Sequence, residues 1–464
     1  MTSATSRIPG PPFLLSLSSI VVGCLIGILL IPDNPNVPDD LQWAGVVFSI
    51  GIVVGPLWVA ARLPAALMHP VSLLLFGLVY WLLLDLMQAL YLPEVADMDA
   101  VRLAFLAVGL FAVGLLVAAQ GRATRLPAFM MRAAAVGLSG KVLFQLGLIA
   151  FVLSFLRFAI PAEFNLDQIY GALFSDRFSA PWSRGAYGGW DAFLDHISYF
   201  GYLLPALTVL LYRAEGRFTW RTLLLAAMAV IIGLLLAQGG GRRVVGSLAL
   251  SAGVILVLTS RAKWRSIILL VLFGLPALLM YMQYILFTRS AGISESGDIP
   301  YQTLITRGIA VDDNINRLAQ LIEIIPNSVP HVWFDWVIWI LVRPIPRILW
   351  PDKPDDFGFD LATHLGMENV SLTSSVVGES YMAFGLMGCM VIGLVYGHLA
   401  KRLTSLFDYL AQPGAALMYV LGMMALFVGL RSAVEVLLIS YSILAWIVLV
   451  SIFVDRPGRR GARR

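Results

Sequence analysis

The chain has 464 residues, 59% of them hydrophobic and only 13% charged, with a mean hydropathy of +0.84. Soluble domains carry about a quarter charged residues, so a soluble enzyme is excluded and a polytopic membrane protein is indicated. The net charge of +4, from 32 Lys and Arg against 28 Asp and Glu, resides in loops and in the tail RPGRRGARR. It speaks to membrane orientation and not to nucleic acid.

At about twenty apolar residues per crossing, the chain holds about twelve transmembrane helices. They fall at 13–31, 43–60, 71–91, 101–119, 141–160, 193–212, 221–237, 244–260, 266–287, 376–399, 413–430 and 434–454. Residues 21–24, VVGC, resemble a lipoprotein cleavage site. The apolar run continues to Ile31, however, so the first stretch reads as a span and not a removed signal. Arg62, then Arg122, Arg125 and Arg132, then Arg213 and Arg217, then Arg261, Lys263 and Arg265, and finally Lys401 and Arg402 occupy alternate loops. The loops between them carry Asp33, Asp39 and Asp40, or Glu94, Asp97 and Asp99. Basic short loops mark the cytoplasmic side, which puts both termini inside. The expected organisation is nine spans over 1–287 with an outer loop at 161–192, a large extracytoplasmic segment at 288–375, three spans over 376–454 and a cytoplasmic tail at 455–464.

Within the large segment, Leu304, Gly308, Val311, Ile315, Leu318, Ile322 and Ile325 recur at helical spacing. They predict an amphipathic helix lying on the membrane surface or on other spans, started by Asp312 or Asp313 and followed by Pro326. Residues 331–342, with Trp333, Trp336 and Trp339, are too short to cross and predict an interfacial or re-entrant element. Pro344, Pro346, Pro351 and Pro354 then forbid a continuous helix and fix a kinked path.

Six cations break the positive-inside pattern. Arg242 and Arg243 follow Gly239–Gly241 at the mouth of two spans, and adjacent guanidiniums there can grip phosphate in bidentate fashion. Headgroup snorkelling, or pairing with an outer-loop acid, is the alternative. Arg431 lies between two spans with Glu435 one turn later, as an intrahelical ion pair or as a ligand contact. Arg343, Arg347 and Lys353 line the kinked segment. A shared pyrophosphate site accounts for all six, because Arg stays charged at any relevant pH and neutralises a leaving group without a metal. Transfer to a hydroxyl also calls for a general base. Glu379, near the start of the tenth span, is the first candidate and His364 the second. Gly378, Gly385 and Gly388 keep that helix start slim. Trp182, Tyr187 and Trp190 in the 161–192 loop suit stacking on sugar rings or interfacial anchoring equally. Cys24 and Cys389 sit in apolar runs and the five histidines are scattered, so neither a disulfide framework nor a metal site is expected. No Walker loop, dinucleotide-binding glycine motif or HExxH is present, so no cofactor and no ATP-driven pump is expected.

At QGGGRR (238–243), RPIPRILWPDKP (343–354) and GESYMAFGLMG (378–388) the chain resembles the bacterial oligosaccharide repeat-unit polymerases, the Wzy-type O-antigen or exopolysaccharide polymerases. The plan of many spans with one large late outer loop is similar too. The resemblance implies a GT-C-like, metal-independent, inverting glycosyltransferase at the outer side of the bacterial inner membrane. Its substrates would be undecaprenyl-pyrophosphate-linked glycans, and a flippase and a chain-length regulator would be its partners. It implies that Arg242, Arg243 and Arg431 hold pyrophosphate, that Arg343, Arg347 and Lys353 position headgroup or glycan, and that Glu379 or His364 activates the hydroxyl. An O-antigen ligase or a transporter of lipid-linked oligosaccharide remain as alternatives. A transporter calls for matched interrupted helices in both halves, and the sequence shows no such pair.

Overall fold

A computed structural model of the protein describes residues 8–90, 97–122, 124–175, 179–182, 191–238, 241–260, 263–288, 308–354, 356–367 and 372–454. These residues form helices and connecting loops, with no strand among them. Among the described residues, ten helices are long and apolar enough to cross a membrane. Two shorter apolar helices, α1 (Phe13–Leu29) and α13 (Pro413–Gly429), stand where the first and eleventh spans are expected. The other long helices are α2 (Gln42–Ala60), α3 (Pro70–Met87), α4 (Met98–Ala118), α5 (Gly140–Ala159), α6 (Phe193–Glu215), α7 (Trp220–Ala237), α8 (Arg242–Thr259) and α9 (Arg265–Ile285), with α12 (Ser375–Leu403) and α14 (Ala433–Phe453) near the C-terminus. The large segment adds α10 (Asn314–Ile324) and α11 (Asp335–Val342).

Lipid supplies no hydrophobic drive between helices, so they associate where small residues admit close packing. In α4 and α12, a Cβ on Gly114 would strike the Met390 carbonyl, and one on Gly393 or Gly397 would strike the Phe111 or Leu115 carbonyl. α1 and α2 cross in the same manner, a Cβ on Gly51 falling 2.6 Å from the Ser19 carbonyl while the Ser19 hydroxyl donates to the Gly51 carbonyl at 2.7 Å. α13 is apolar all round and buried from Gly414 to Leu426, which makes it the centre of the core.

Several spans that bear on the site are irregular, α3 and α12 among them. α3 contains a π-turn at Val79–Leu83, a local widening of the helix that leaves the Trp81 carbonyl to accept from Asn314 Nδ2 at 2.6 Å. α12 breaks after Ala383: Phe384 leaves the helical region, and Gly385 adopts φ 65°, ψ −156°, a conformation open essentially to glycine alone. Val332 N–H, at 3.0 Å, and His331 Nδ1, at 3.1 Å, meet the Met382 carbonyl that the break releases. Gly385 therefore interrupts the tenth span, where the sequence predicted only a slim helix start. Gly378 does serve close packing, since a Cβ there would fall 3.1 Å from Leu321 of α10.

The amphipathic helix is shorter than its spacing predicts. It begins at Asn314, and Gly308 to Asp313 run without helix; Leu304 lies outside the described residues. Asp313 occupies the position before the helix with φ 50°, but its side chain makes no capping bond to the helix. The backbone donors of Val311, Asp312 and Asp313 go to Asp85 of α3 instead. Ile315, Leu318, Leu321 and Ile322 are buried and α10 packs on α4 and α12, so it lies on the spans.

Candidate functional site

The site grows from the backbone of 309–313, which has no secondary structure to satisfy it. Buried N–H and C=O groups must find partners, and here they find side chains of three spans. Gln88, just past the end of α3, accepts from Ile309 N–H at 2.8 Å and donates to the Ile309 carbonyl at 3.1 Å. Asp85 of α3 accepts from Val311 N–H (2.8 Å), Asp312 N–H (3.2 Å) and Asp313 N–H (2.8 Å). The Ala310 carbonyl accepts from Gln283 of α9 at 3.1 Å and from Arg242 Nη1 at 2.8 Å, while the Val311 carbonyl accepts from Arg242 Nη2 at 2.6 Å.

This segment presents Asp312 to two arginines. Arg242 Nη2 donates to Oδ1 at 3.1 Å and Arg431 Nε to Oδ2 at 2.9 Å; Arg431 Nη2 also donates to Thr373 Oγ1 at 3.1 Å. Arg243 pairs with Glu435 at the start of α14, beside Tyr199 and Tyr202, which stack at 5.4 Å between ring centroids. The intrahelical pair of Arg431 with Glu435 is thus replaced by two pairs between elements: Arg431 with Asp312, and Glu435 with Arg243. The α13–α14 turn carries Arg431 away from the first turn of α14 and toward the 309–313 segment, so the one-turn spacing does not bring the two side chains together.

Glu379 is buried at the start of α12. Its Oε2 accepts from Ala433 N–H at 2.9 Å and from Trp336 Nε1 at 3.2 Å, and the carboxylate also takes the Ser432 hydroxyl. It caps the N-terminus of α14 and ties α11 to the same place. Asp85, Asp312, Glu379 and Glu435 therefore share one end of the bundle with Arg242, Arg243 and Arg431. Four carboxylates face three guanidiniums and each arginine already has a carboxylate partner, so an incoming phosphate gains most where it displaces a carboxylate.

The kinked segment has its own internal logic. Buried Lys353 turns inward and donates to the Arg343 carbonyl at 3.1 Å and the Ile345 carbonyl at 2.7 Å, stapling the proline-rich path. The Arg343 guanidinium lies over Trp339 at 5.4 Å from the ring centroid, and Arg347 donates to the Pro351 carbonyl at 3.0 Å. Phe334, Leu341 and Leu349 are exposed along this stretch, consistent with an interfacial element. His364 is exposed on a short helix with its ring against Phe359, and among the described residues nothing ties it to the arginine cluster. In the 161–192 loop, Trp182 is buried edge-on against Phe158 and its carbonyl accepts from Arg157 at 2.9 Å, so it packs inward; Tyr187, Trp190, Gly239 and Gly240 lie outside the described residues.

The structure thus brings Arg242, Arg243, Arg431 and Glu379 to one end of the bundle. Asp85 and Gln283 were missed by reading the sequence. Their signal was present: Asp85 is a lone carboxylate inside an apolar run, and such residues mark sites by default. Compared with models of known protein families, with curated proteins and with solved structures, the chain matches none.

Proposed function

We propose that the protein is an inner-membrane glycosyltransferase that polymerises undecaprenyl-pyrophosphate-linked repeat units into a surface polysaccharide, working at the extracytoplasmic face with both termini inside. The observation that carries the reading is the meeting of Arg242 and Arg431, from elements far apart in sequence, on the single carboxylate of Asp312. In the proposed cycle the lipid pyrophosphate takes the place of that carboxylate between the two guanidiniums, each of which can offer paired N–H donors. Glu379 removes the proton from a hydroxyl of the incoming repeat unit. That oxygen bonds to the anomeric carbon of the growing chain as the carbon–oxygen bond to pyrophosphate breaks, with inversion. Lipid pyrophosphate departs with its charge held by the arginines. The GT-C-like arrangement of twelve spans and independence from metal belong to the same proposal.

The broken α12 and the π-turn of α3 favour a second reading, a transporter of lipid-linked oligosaccharide, because transporter sites are built on interrupted spans. A deletion strain separates the two. On the polymerase reading it accumulates single repeat units on lipid, exposed at the outer face, and Arg242→Ala and Arg431→Ala fail to restore chains. Single units trapped at the inner face would overturn it in favour of transport.

A further inference from the structure

Asp85 is buried, yet among the described residues no arginine or lysine pairs with it. A buried carboxylate without compensation is costly. Its compensation is backbone: Oδ1 accepts from Val311 N–H, and Oδ2 accepts from both Asp312 and Asp313 N–H. Gln88, one turn later, holds Ile309 through both its groups. One end of α3 therefore grips the segment at Ile309, Val311, Asp312 and Asp313. The π-turn at Val79–Leu83 immediately precedes this grip, and Asn314, where the segment ends, fixes onto its Trp81 carbonyl.

The segment in turn decides where Asp312 stands, and Asp312 is the shared acceptor of Arg242 and Arg431. Arg242 is further bound to the segment's own carbonyls at Ala310 and Val311. A shift of the segment thus moves both guanidiniums.

We infer that Asp85 is the positioning residue of the anion site: from within a span it fixes the 309–313 segment, and through Asp312 it sets the separation and aim of Arg242 and Arg431. It touches no substrate. This rests on the reading of the cluster as a pyrophosphate site. Asp85→Asn is the informative change, because it preserves size but turns an NH2 group toward either the Val311 N–H or the Asp312 and Asp313 pair. Asp85→Glu keeps both acceptor oxygens on a longer stem.

The test uses the full-length protein in lipid nanodiscs, with amide exchange at 309–313 and binding of inorganic pyrophosphate as paired readouts. Asp85→Asn is expected to speed exchange at Val311 to Asp313 and weaken pyrophosphate binding by about tenfold or more. Asp85→Glu recovers part of that loss. Asp85→Asn combined with Arg242→Ala loses less than the sum of the two single losses, as residues acting through one another are non-additive, and the loss that remains is the one carried through Arg431. Gly393→Ala, at the remote α4–α12 crossing, lowers the melting temperature without changing affinity and so separates positioning from general destabilisation. Wild-type affinity in Asp85→Asn, or a loss that Gly393→Ala reproduces, overturns the inference. Should Asp85→Asn fail to fold, Gln88→Ala loosens the same segment at Ile309 and is read by the same criteria. A wild-type protein that binds no pyrophosphate overturns the anion-site reading itself, and this inference with it.

Discussion

Asp312 receives a guanidinium on each carboxylate oxygen, and the two arginines use different edges: Arg242 its terminal nitrogens, Arg431 its Nε toward Asp312 and its Nη2 toward Thr373. That division of labour needs a planar fork. Arg431→Lys is therefore expected to behave like Arg431→Ala in chain-length assays, since one ammonium cannot span both partners; full activity in the lysine variant would contradict it. Arg243 does a different job. Its partner Glu435 is only 5% exposed on the side chain, while Arg243 itself is 38% exposed, so water reaches one end of the pair. Arg243→Ala leaves a buried carboxylate uncompensated and should cost about 2–3 kcal/mol, with most of it regained in Arg243→Ala combined with Glu435→Gln. Denaturation midpoints in detergent check the pair, and an unchanged midpoint in the single variant would show that the contact contributes nothing.

The elements around these residues owe their shapes to a few backbone decisions. Gly385 ends the first part of α12 and frees the Met382 carbonyl for Val332 and His331. Gly385→Ala forces an L side chain into the glycine region and should cost about 1–3 kcal/mol. A melting temperature equal to wild type would mean that the break is not needed. This break illustrates what sequence reading could reach. Apolar length located the ten helices long enough to cross, and the two shorter apolar ones, to within a few residues, and prolines marked the kinked segment. Gly385 looked like one of several small residues, because spacing alone cannot say which glycine takes a left-handed φ. The same limit applies to the start of α10. The pattern from Leu304 to Ile325 has helical spacing throughout, but the donors of Val311 to Asp313 go to Asp85, 226 residues from Val311 in the chain, and the helix begins only at Asn314. A tertiary carboxylate overrode local periodicity.

At the scale of the whole molecule, the alternation of basic and acidic loops makes a definite claim about sidedness. Cys24 and Cys389 are buried, so single exposed cysteines can report it without background. Asp352→Cys should react with a membrane-impermeant maleimide in intact spheroplasts, and Arg62→Cys only after permeabilisation. The reverse pattern would put the arginine cluster on the cytoplasmic side and remove it from extracytoplasmic chemistry. The cluster itself was half legible. Arg242, Arg243 and Arg431 stood out as cations against the positive-inside pattern and Glu379 as a carboxylate near the start of a span, and they do gather. Their partners did not stand out, because an ion pair between α8 and the segment before α10 depends on how spans pack and leaves no spacing to read. The candidate cations of the kinked segment proved partly self-engaged, with Lys353 stapling its own loop.

The most direct measurement is a ladder assay with purified protein in liposomes, supplied only with single repeat units on undecaprenyl pyrophosphate. Glycan chains of increasing length, formed without nucleotide or added metal and abolished by Arg242→Ala and by Arg431→Ala, are the expected result. Substrate that crosses the bilayer and stays at one repeat unit would contradict the polymerase and leave the transporter in its place.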